Sequence, residues 1–398
     1  RAFPYTDTPD QAEASGEIAR DLSNPRPMDR LLCGDVGFGK TEVAMRAAFR
    51  VVAGGGQVAV LVPTTVLADQ HEKSFRRRMA GLPVEIVSLS RMTAGKATKE
   101  AVEKVRAGTV DIVIGTHRLL SKDVQFARLG LLVIDEEQRF GVKHKEHFKA
   151  LRATVDVLAL SATPIPRTLH MSLAGVRDIS ALSVAPDGRQ DVETKIANRD
   201  DLSQIRNALL AEQNRGGQSF VLHNHVLGME AFVRELETLV PECKFVYGHG
   251  QMGARELNRV MKRFEEGEAD VLVSTTIIEN GIDIPSAGTM LIDEADRFGL
   301  AELHQLRGRV GRGGQKPFCW LLVDRTKPLR QVAKERLKAL EELSHLGAGF
   351  QISMKDLEIR GAGNLLGPEQ SGHIAAIGYD MYCRLLKSTV EKLKSGSL

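Results

Sequence analysis

The chain has 398 residues, and its 54 basic and 51 acidic residues give a formal net charge of only +3. This balance excludes a nucleic-acid binder that is basic throughout, so any basic surface must be local. The length is sufficient for two or three domains with substantial cores.

The sequence was compared with the usual patterns of membrane spans, signal peptides and disulfide-rich proteins. No apolar run approaches the roughly 18 residues of a membrane span, and the first residues carry no signal-peptide pattern. The cysteines are scattered and form no C-x-x-C pair, which favours buried thiols in a reducing compartment over a disulfide framework or a zinc cluster. We predict a cytoplasmic protein without membrane contact. Because the chain starts at Arg1, we also expect a piece of a longer protein.

A short apolar run, Leu31 to Cys33, leads into the segment GDVGFGKT, and apolar residues at helical spacing follow. The segment matches G-x-x-x-x-G-K-[ST], the phosphate-binding loop of nucleotide hydrolases. Glycines let backbone amides face the phosphates, Lys40 would bridge the β and γ oxygens, and the Thr41 hydroxyl would hold Mg²⁺. The predicted nucleotide-binding residues of the loop are Gly34, Asp35, Gly37, Gly39, Lys40 and Thr41.

Five more β-branched runs follow in the first half and alternate with helical patterns. They are Val58 to Val62, Val84 to Leu89, Val110 to Ile114, Leu131 to Ile134 and Val157 to Leu160. Strands separated by helices predict a parallel sheet covered on both faces. Polar or turn residues follow each run, and ligands of such sheets bind beyond the carboxyl ends of the strands. We therefore expect the candidate chemistry along one edge.

Asp135 and Glu136 lie directly after one of these strands. An aspartate there would hold Mg²⁺ through water, and the adjacent glutamate could orient and deprotonate the attacking water. Paired carboxylates are also common on solvated loops, so the catalytic interpretation depends on the phosphate loop upstream.

Turn-forming residues 186–190 predict a linker, and a second series of strands follows. These strands are Ser219 to Leu222, Phe245 to Tyr247, Val271 to Val273, Met290 to Ile292 and Cys319 to Val323. They predict a second α/β domain without a phosphate loop. A charged helix at 331–346, a glycine-broken segment at 356–363 and a final amphipathic helix ending near Lys394 are expected as an appendage to this domain.

Two motifs of the second half have different interpretations. Residues 293–296 spell D-E-A-D, a helicase signature, but they lie in the second sheet, so we interpret them as a strand-end turn. The segment from Gln305 to Arg312 carries three arginines and is broken by glycines, which argues against a solvated basic helix. Guanidinium groups stabilise the charge of phosphoryl transfer, so Arg309 and Arg312, with Gln305, are candidates to complete a hydrolytic site on domain closure.

The phosphate loop, Asp135-Glu136, Ser161-Ala162-Thr163 and residues 305–312 occur in the order of a superfamily 2 helicase-type motor, which the chain resembles. Longer segments are similar to the motor modules of bacterial transcription-repair coupling factors, which are related to the RecG fork-reversal enzymes. The segments are Gly34 to Phe49, Asp135 to Val142, Ser161 to Thr168 and Asp356 to Gly372.

The resemblance implies an α/β fold of two RecA-like parallel-sheet domains in tandem, followed by a helical hairpin with a translocation motif. We predict domain 1, with the phosphate loop and the Asp-Glu box, at residues 1–187. Domain 2, with the arginine fingers, is predicted at 188–327, and the hairpin and translocation motif at 328–398. ATP and Mg²⁺ would bind in the cleft between the two RecA-like domains.

The resemblance also implies roles for individual residues. Thr8 and Gln11 would recognise adenine, with Phe3 stacking on the base. Gly281 and Asp283 would contact the ribose. The residues that couple hydrolysis to movement are Ser161 and Thr163, together with Arg360 and Gln370 of the translocation motif. Gln138 stands where many relatives carry histidine.

Hydroxyls and arginines after the strands suit DNA phosphates, and such contacts hold register without reading sequence. The candidates are Thr64, Thr65, Arg91, Thr116, Thr275 and Thr276, although such residues after a strand are often only turn formers. We interpret residues 76–78 as a solvated helix face, the histidines at 223, 225 and 249 as ordinary hydrogen-bonding residues, and Trp320 as core.

The function predicted from the sequence is an ATP-dependent double-stranded DNA translocase. The resemblance implies contacts with stalled RNA polymerase and a nucleotide-excision-repair protein through modules that this chain lacks. Two alternatives remain: a RecG-like replication-fork remodelling translocase, and a nucleotide-switched DNA-binding module that does not translocate.

Overall fold

The computed structural model describes residues 5–89, 95–141, 144, 148, 151–162, 177–275, 286–311, 314–326 and 328–360. The chain separates into two compact units. The first comprises the described residues up to Gly34 and from Phe38 to Val184, and the second comprises Asp35–Gly37 and the described residues from Ala185 onward.

The first unit is built on a seven-stranded parallel sheet with the strand order β3-β4-β2-β5-β6-β1-β7. The strands are β1 (Asp29–Gly34), β2 (Gln57–Leu61), β3 (Ile86–Leu89), β4 (Ile112–Gly115), β5 (Leu129–Asp135), β6 (Asp156–Ser161) and β7 (Asp178–Leu182). The helices are α1 (Pro9–Asp21), α2 (Lys40–Ala53), α3 (Thr65–Arg78) and α4 (Gly95–Ala107).

The central strands of this sheet are apolar without alternation because both of their faces are covered. Every residue of β2 and β4 is buried, and side chains such as Leu61, Val113 and Ile134 form one core cluster. Sequence analysis predicts each of these strands but misses β7. That strand pairs with β1 at the edge of the sheet and has exposed positions, so it lacks a continuous apolar run.

The second unit contains a six-stranded parallel sheet with the order β10-β11-β9-β12-β13-β8. Its strands are β8 (Glu193–Asn198), β9 (Gln218–Leu222), β10 (Phe245–Gly248), β11 (Val271–Ser274), β12 (Ala287–Ile292) and β13 (Phe318–Val323). Its helices include α5 (Leu202–Asn214), α6 (Met229–Leu239), α7 (Ala254–Glu265) and α8 (Leu300–Arg307). The edge strand β8 was not predicted either, since apolar and polar residues mix in it.

Trp320 on β13 is half-buried rather than fully enclosed, and the Nζ of Lys195 lies 5.5 Å from its ring centroid. It packs against the edge of the core cluster of the second unit. The interpretation of Trp320 as a core residue is therefore only partly right.

Two helices, α9 (Gln331–Glu342) and α10 (Gly349–Arg360), pack on α8 and on each other within the second unit. The first matches the predicted charged helix but ends earlier. The second covers the start of the segment that sequence analysis treats as glycine-broken, because its glycines begin only at Gly361. The helix predicted to end near Lys394 lies outside the described residues. No helix among the described residues combines the length and the apolar character that a membrane span requires.

Candidate nucleotide-hydrolysis site

The predicted phosphate loop connects β1 to α2. Gly37 and Gly39 have φ angles of 83° and 85°, in the left-handed region that favours glycine. A Cβ on Gly39 would lie only 2.5 Å from Nε2 of Gln11. Gly39 precedes α2 and provides no side-chain cap, so the first amides of the helix have no capping side chain at this position and suit an anion. The Nζ of Lys40 donates to the Gly34 carbonyl at 2.5 Å.

The residues predicted to recognise adenine lie beside this loop. Thr8 caps α1 in a capping box with Gln11, in which the Gln11 amide donates to Thr8 Oγ1 at 3.3 Å. The side-chain Nε2 of Gln11 donates to the Phe38 carbonyl at 2.9 Å. The start of α1 is therefore held against the backbone of the loop. Phe3 lies outside the described residues.

The predicted catalytic carboxylates occupy a constrained turn at the end of β5. Glu136 has a φ of 51°, which is uncommon for a residue with a side chain, and its amide donates to the Leu160 carbonyl at 3.0 Å. The Nε2 of His71 lies 3.0 Å from Oδ2 of Asp135, and Nε2 of Gln138 donates to Oε2 of Glu136. Sequence analysis missed the contribution of His71.

The order of the strands brings the loop and the carboxylates to one edge. β6 lies between β1 and β5, with Cys33 opposite Ser161 and Asp135 opposite Leu160. The ends of β1 and β5 are thus separated by two strand spacings, about 10 Å. Burial raises the pKa of the Cys33 thiol to about 12, and the charges of Lys40 and Glu136 act on it in opposite directions.

Glu137 stabilises this turn through ion pairs that sequence analysis did not find. Its carboxylate accepts from Arg152 at 2.7 Å and from Arg177 at 2.8 Å, and both arginines also pair with Asp29. Burial alone would raise the pKa of Glu137, but the two arginines outweigh it and lower the pKa below its usual value. No local sequence pattern signals this network, because its members are far apart in the chain.

Glu137→Gln is expected to reduce stability at neutral pH and to weaken its acid dependence. A depressed folded-state pKa contributes stability above the unfolded-state pKa, near 4.3, and this contribution is lost as the pH falls through the folded-state value. Thermal unfolding should be measured between pH 3 and pH 8. At pH 7 the free energy of unfolding of the variant should be roughly 1–3 kcal/mol below that of wild type, and this difference should disappear in acid. A difference in the free energy of unfolding that stays constant with pH would contradict the stabilising role of the ionised Glu137 carboxylate.

The residues predicted to contact DNA in the first unit also follow strand ends. Thr64 caps α3 by accepting from the Leu67 amide at 3.3 Å, and Thr65 is the first residue of that helix. Leu61 of β2 is paired with Gly115 of β4, so Thr116 lies at the adjacent strand end. Thr116 is 2% exposed, and its hydroxyl has no hydrogen-bond partner in the described structure.

The coupling residues predicted for this unit are only partly described. Ser161 is buried at the end of β6, whereas Thr163 lies outside the described residues, as does Arg91, which is predicted to contact DNA. Arg78 departs from the predicted solvated face, since it binds the carboxylate of Glu42 through Nε and Nη2. Its neighbours on α3, Arg76 and Arg77, are exposed as expected.

In the second unit, α8 and the residues after it carry the predicted arginine segment. Gln305 and Arg309 are each only 6% exposed, which is inconsistent with a solvated basic helix. Arg307 has a different role, because its Nη1 and Nη2 donate to the Leu340 and Leu343 carbonyls at 2.7 and 2.8 Å. Burial lowers the pKa of this guanidinium. Arg307 therefore anchors the end of α9 to α8.

Arg307→Met is expected to destabilise the second unit by about 2–4 kcal/mol, because it leaves two carbonyls near the end of α9 without their donors. Thermal unfolding would show this as a lower Tm. Arg297→Met is a matched control, since the Arg297 side chain is 60% exposed. Equal Tm values for the two variants would contradict the anchoring role.

The remaining predicted residues of this unit are incompletely described. Thr275 is buried after β11. Outside the described residues lie Thr276, Gly281, Asp283, Arg312 and Gln370, and the side chain of Arg360 is also not described.

The D-E-A-D segment forms the turn after β12 in the second sheet, as expected. Asp293 and Glu294 have cationic or imidazole partners within the unit. Arg199 lies 3.3 Å from Asp293 and 3.4 Å from Glu294, His223 lies 2.8 Å from Asp293, and His225 lies 2.6 Å from Glu294. Among the described residues, no group of three or more acidic, histidine or cysteine side chains is arranged to hold a metal ion.

Comparisons with protein families find one helicase domain in each half of the chain. Residues 8–172 match the DEAD/DEAH box helicase family, and residues 200–314 match the helicase conserved C-terminal domain. The chain therefore belongs to the helicase-type ATPases of superfamily 2, with two RecA-like domains in tandem, which confirms the predicted fold class and the predicted enzyme class.

Within this class, the chain is similar to transcription-repair-coupling factors. It is 52% identical to that of Bacillus subtilis (strain 168) over 393 residues and 52% identical to that of Escherichia coli (strain K12) over 395 residues. Each match covers 99% of this chain but only 33% and 34% of the relative, so the chain spans about a third of their length. The resemblance indicated by the sequence motifs is confirmed.

A solved structure of RecG bound to a three-way DNA junction is also similar, with 36% sequence identity and a TM-score of 0.76. The match covers 97% of this chain and 51% of the RecG chain. RecG therefore shares the plan of both units.

Proposed function

We propose that this chain is an ATP-dependent translocase on double-stranded DNA. The observation that carries the proposal is the common edge of the first sheet. Lys40 and Thr41 follow β1, Asp135 and Glu136 follow β5, and candidate phosphate contacts follow β2 and β4. ATP hydrolysis and DNA contact would thus be supported by strand ends of the same sheet.

The residues present suit a nucleotide with Mg²⁺. The Thr41 hydroxyl and the Asp135 carboxylate are oxygen donors of the kind that Mg²⁺ prefers, and the left-handed backbone at Gly37 and Gly39 is the conformation of a phosphate-binding turn. When bound, the ion would neutralise charge on the phosphate oxygens. Lys40 would hold the β and γ oxygens, and His71 would orient the Asp135 carboxylate.

Glu136 would orient the attacking water and accept its proton, held in place by the left-handed turn and by Gln138. From the second unit, Arg309 and Arg312, with Gln305, would stabilise charge on the transferred phosphoryl group. The adenine side of the site would be formed by Thr8 and Gln11. Residues whose structure is not described, Gly281 and Asp283, would reach the ribose.

The biological role proposed for the parent protein is transcription-coupled repair in the cytoplasm, with displacement of stalled RNA polymerase. Support comes from the coupling factors that the chain resembles at 52% identity. Contacts with RNA polymerase and a nucleotide-excision-repair protein would be made by parts of the parent outside this chain. A RecG-like fork remodeller is the second candidate, because RecG shares the plan of both units at 36% identity.

Displacement of a third strand from triplex DNA tests the proposal, with ATP present and a forked duplex assayed in parallel. We expect triplex displacement without separation of the forked duplex. Lys40→Ala should abolish it, whereas Lys262→Ala, which alters an exposed lysine of α7, should not. Failure on triplex DNA with intact DNA-stimulated ATP hydrolysis would favour a nucleotide-switched DNA-binding module, and reversal of a model fork would favour the RecG-like role.

A further inference from the structure

An ion-pair network in the first unit joins three elements beside the phosphate loop. Arg46 on α2 donates through Nη1 and Nη2 to the two carboxylate oxygens of Asp7, at 2.7 Å each. The Nε of Arg46 donates to Glu42 one turn earlier at 2.9 Å. Glu42 also accepts from Nη2 of Arg78, at the end of α3, at 2.8 Å. We call Asp7, Glu42, Arg46 and Arg78 the α2 clamp.

The geometry of the α2 clamp distinguishes it from an ordinary surface pair. Arg46 and Arg78 each engage a carboxylate through two nitrogens, the arrangement in which arginine holds a partner most firmly. Glu42 is 9% exposed, whereas the side chains of Arg46 and Asp7 are 29% and 33% exposed. Hydrogen bonding from Arg46 lowers the pKa of the Asp7 carboxyl. Networks with this geometry contribute more than isolated exposed pairs.

The position of Asp7 gives the α2 clamp a consequence for the nucleotide site. Asp7 directly precedes Thr8, which forms the capping box with Gln11 at the start of α1. Gln11 is 3% exposed and contacts the Phe38 carbonyl in the phosphate loop. The start of α1 is thus attached to the loop through Gln11 and to α2 through Asp7, while Asp10 in its first turn accepts from the Ser183 and Val184 amides at 2.6 and 2.9 Å. Loss of the contact with Asp7 would release the segment before α1 from α2 and leave the Gln11 side chain held by the Thr8 amide and the Phe38 carbonyl.

We propose that the α2 clamp positions Gln11 for adenine, so that Asp7, Glu42, Arg46 and Arg78 set the preference for ATP over other nucleoside triphosphates without touching the nucleotide. This inference rests on the proposed role of Gln11 in the same site. The clamp residues act on the base side because Asp7 belongs to the segment before α1. The Nζ of Lys40, at the start of α2, has its own contact with the Gly34 carbonyl at the end of β1.

Arg46→Met tests the inference, because it removes the contacts of the α2 clamp with Asp7 while preserving much of the side-chain volume. Binding of fluorescent ATP and GTP analogues is measured together with kcat and KM for ATP. We expect the Kd and KM for ATP to rise about tenfold. The Kd for GTP and the kcat at saturating ATP should change less than about twofold, because the phosphate contacts remain.

Arg76→Met is the matched control, since Arg76 lies on α3 and pairs with Glu72 without reaching the nucleotide site. It should leave both affinities unchanged. Arg46→Lys should give an intermediate loss, because lysine keeps the charge but not the planar fork. Asp7→Asn should shift ATP affinity in the same direction as Arg46→Met, and it serves as the second variant if Arg46→Met folds poorly. Equal losses of ATP and GTP affinity would overturn the inference.

A double-mutant cycle with Gln11→Ala separates the effect of the α2 clamp from the adenine role of Gln11. In the Gln11→Ala background, Arg46→Met should weaken ATP binding by less than about twofold, because the side chain that it positions is gone. If Gln11→Ala weakens ATP binding selectively but Arg46→Met does not, the α2 clamp inference alone is wrong. If Gln11→Ala leaves the preference for ATP unchanged, the adenine role of Gln11 is wrong, and the inference fails with it.

Discussion

Arg309→Ala is expected to lower the kcat of DNA-stimulated ATP hydrolysis by about 10³-fold or more, with ATP binding largely retained. A guanidinium placed against the transferring phosphoryl group is worth roughly 10³ to 10⁵ in rate, because it offers fixed donors where negative charge spreads. Arg309 follows α8 and is only 6% exposed, so its side chain is held in place rather than moving freely in solvent. Phosphate release at saturating ATP measures the effect.

Two arginines of the same unit make this result interpretable. Arg297→Ala changes an exposed arginine after β12 and should leave kcat near the wild-type value. Arg307→Met should lower Tm, so it is the reference for a residue whose loss reduces the stability of the fold. If Arg309→Ala reduces Tm as Arg307→Met does and leaves kcat of the folded fraction unchanged, Arg309 serves the fold and not hydrolysis.

Glu136→Gln is expected to reduce kcat by about 10² to 10⁴, the usual contribution of a general base. Glutamine has nearly the same shape and can keep a hydrogen bond with Gln138, but it cannot accept the proton of the attacking water. Nucleotide binding should therefore persist while turnover is lost. Single-turnover hydrolysis with an excess of enzyme measures the chemical step directly.

Glu137→Gln is the neighbouring control, because the Glu137 carboxylate is engaged by Arg152 and Arg177. It should reduce stability and leave the single-turnover rate within a few-fold of wild type below its Tm. Comparable rate losses at positions 136 and 137 would indicate that the turn as a whole is disturbed. Unchanged turnover in Glu136→Gln would show that another group activates the water.

An Asp-Glu pair occurs after β5, at Asp135 and Glu136, and again after β12, at Asp293 and Glu294, but the two pairs have different surroundings. Both follow a strand, and Glu136 and Glu294 share a left-handed backbone with φ of 51° and 50°. In the first unit, the turn is two strand spacings from the end of the strand that leads into the phosphate loop. In the second, Arg199 pairs with Asp293 and Glu294. A phosphate loop on the same edge, rather than the signature itself, favours a catalytic role.

The sequence by itself determined the two series of buried strands, the phosphate loop and the carboxylates after β5. These features are local, because buried parallel strands need continuous apolar runs and a phosphate loop needs glycines beside a lysine and a hydroxyl. The class of protein followed from the order of such motifs along the chain. The folded structure contains these strands and places Asp135 and Glu136 at the end of β5, and the family comparisons confirm the class.

Only the tertiary structure decided the edge strands β7 and β8, the anchoring role of Arg307 and the partners of Glu137. Edge strands expose part of their surface, so their sequences lack the apolar run that marks a central strand. The ion pairs of Asp29 with Arg177 and of Asp7 with Arg46 join residues that are distant in the chain. Such contacts depend on how the elements pack, and periodicity along the chain contains no information about which distant charges will meet.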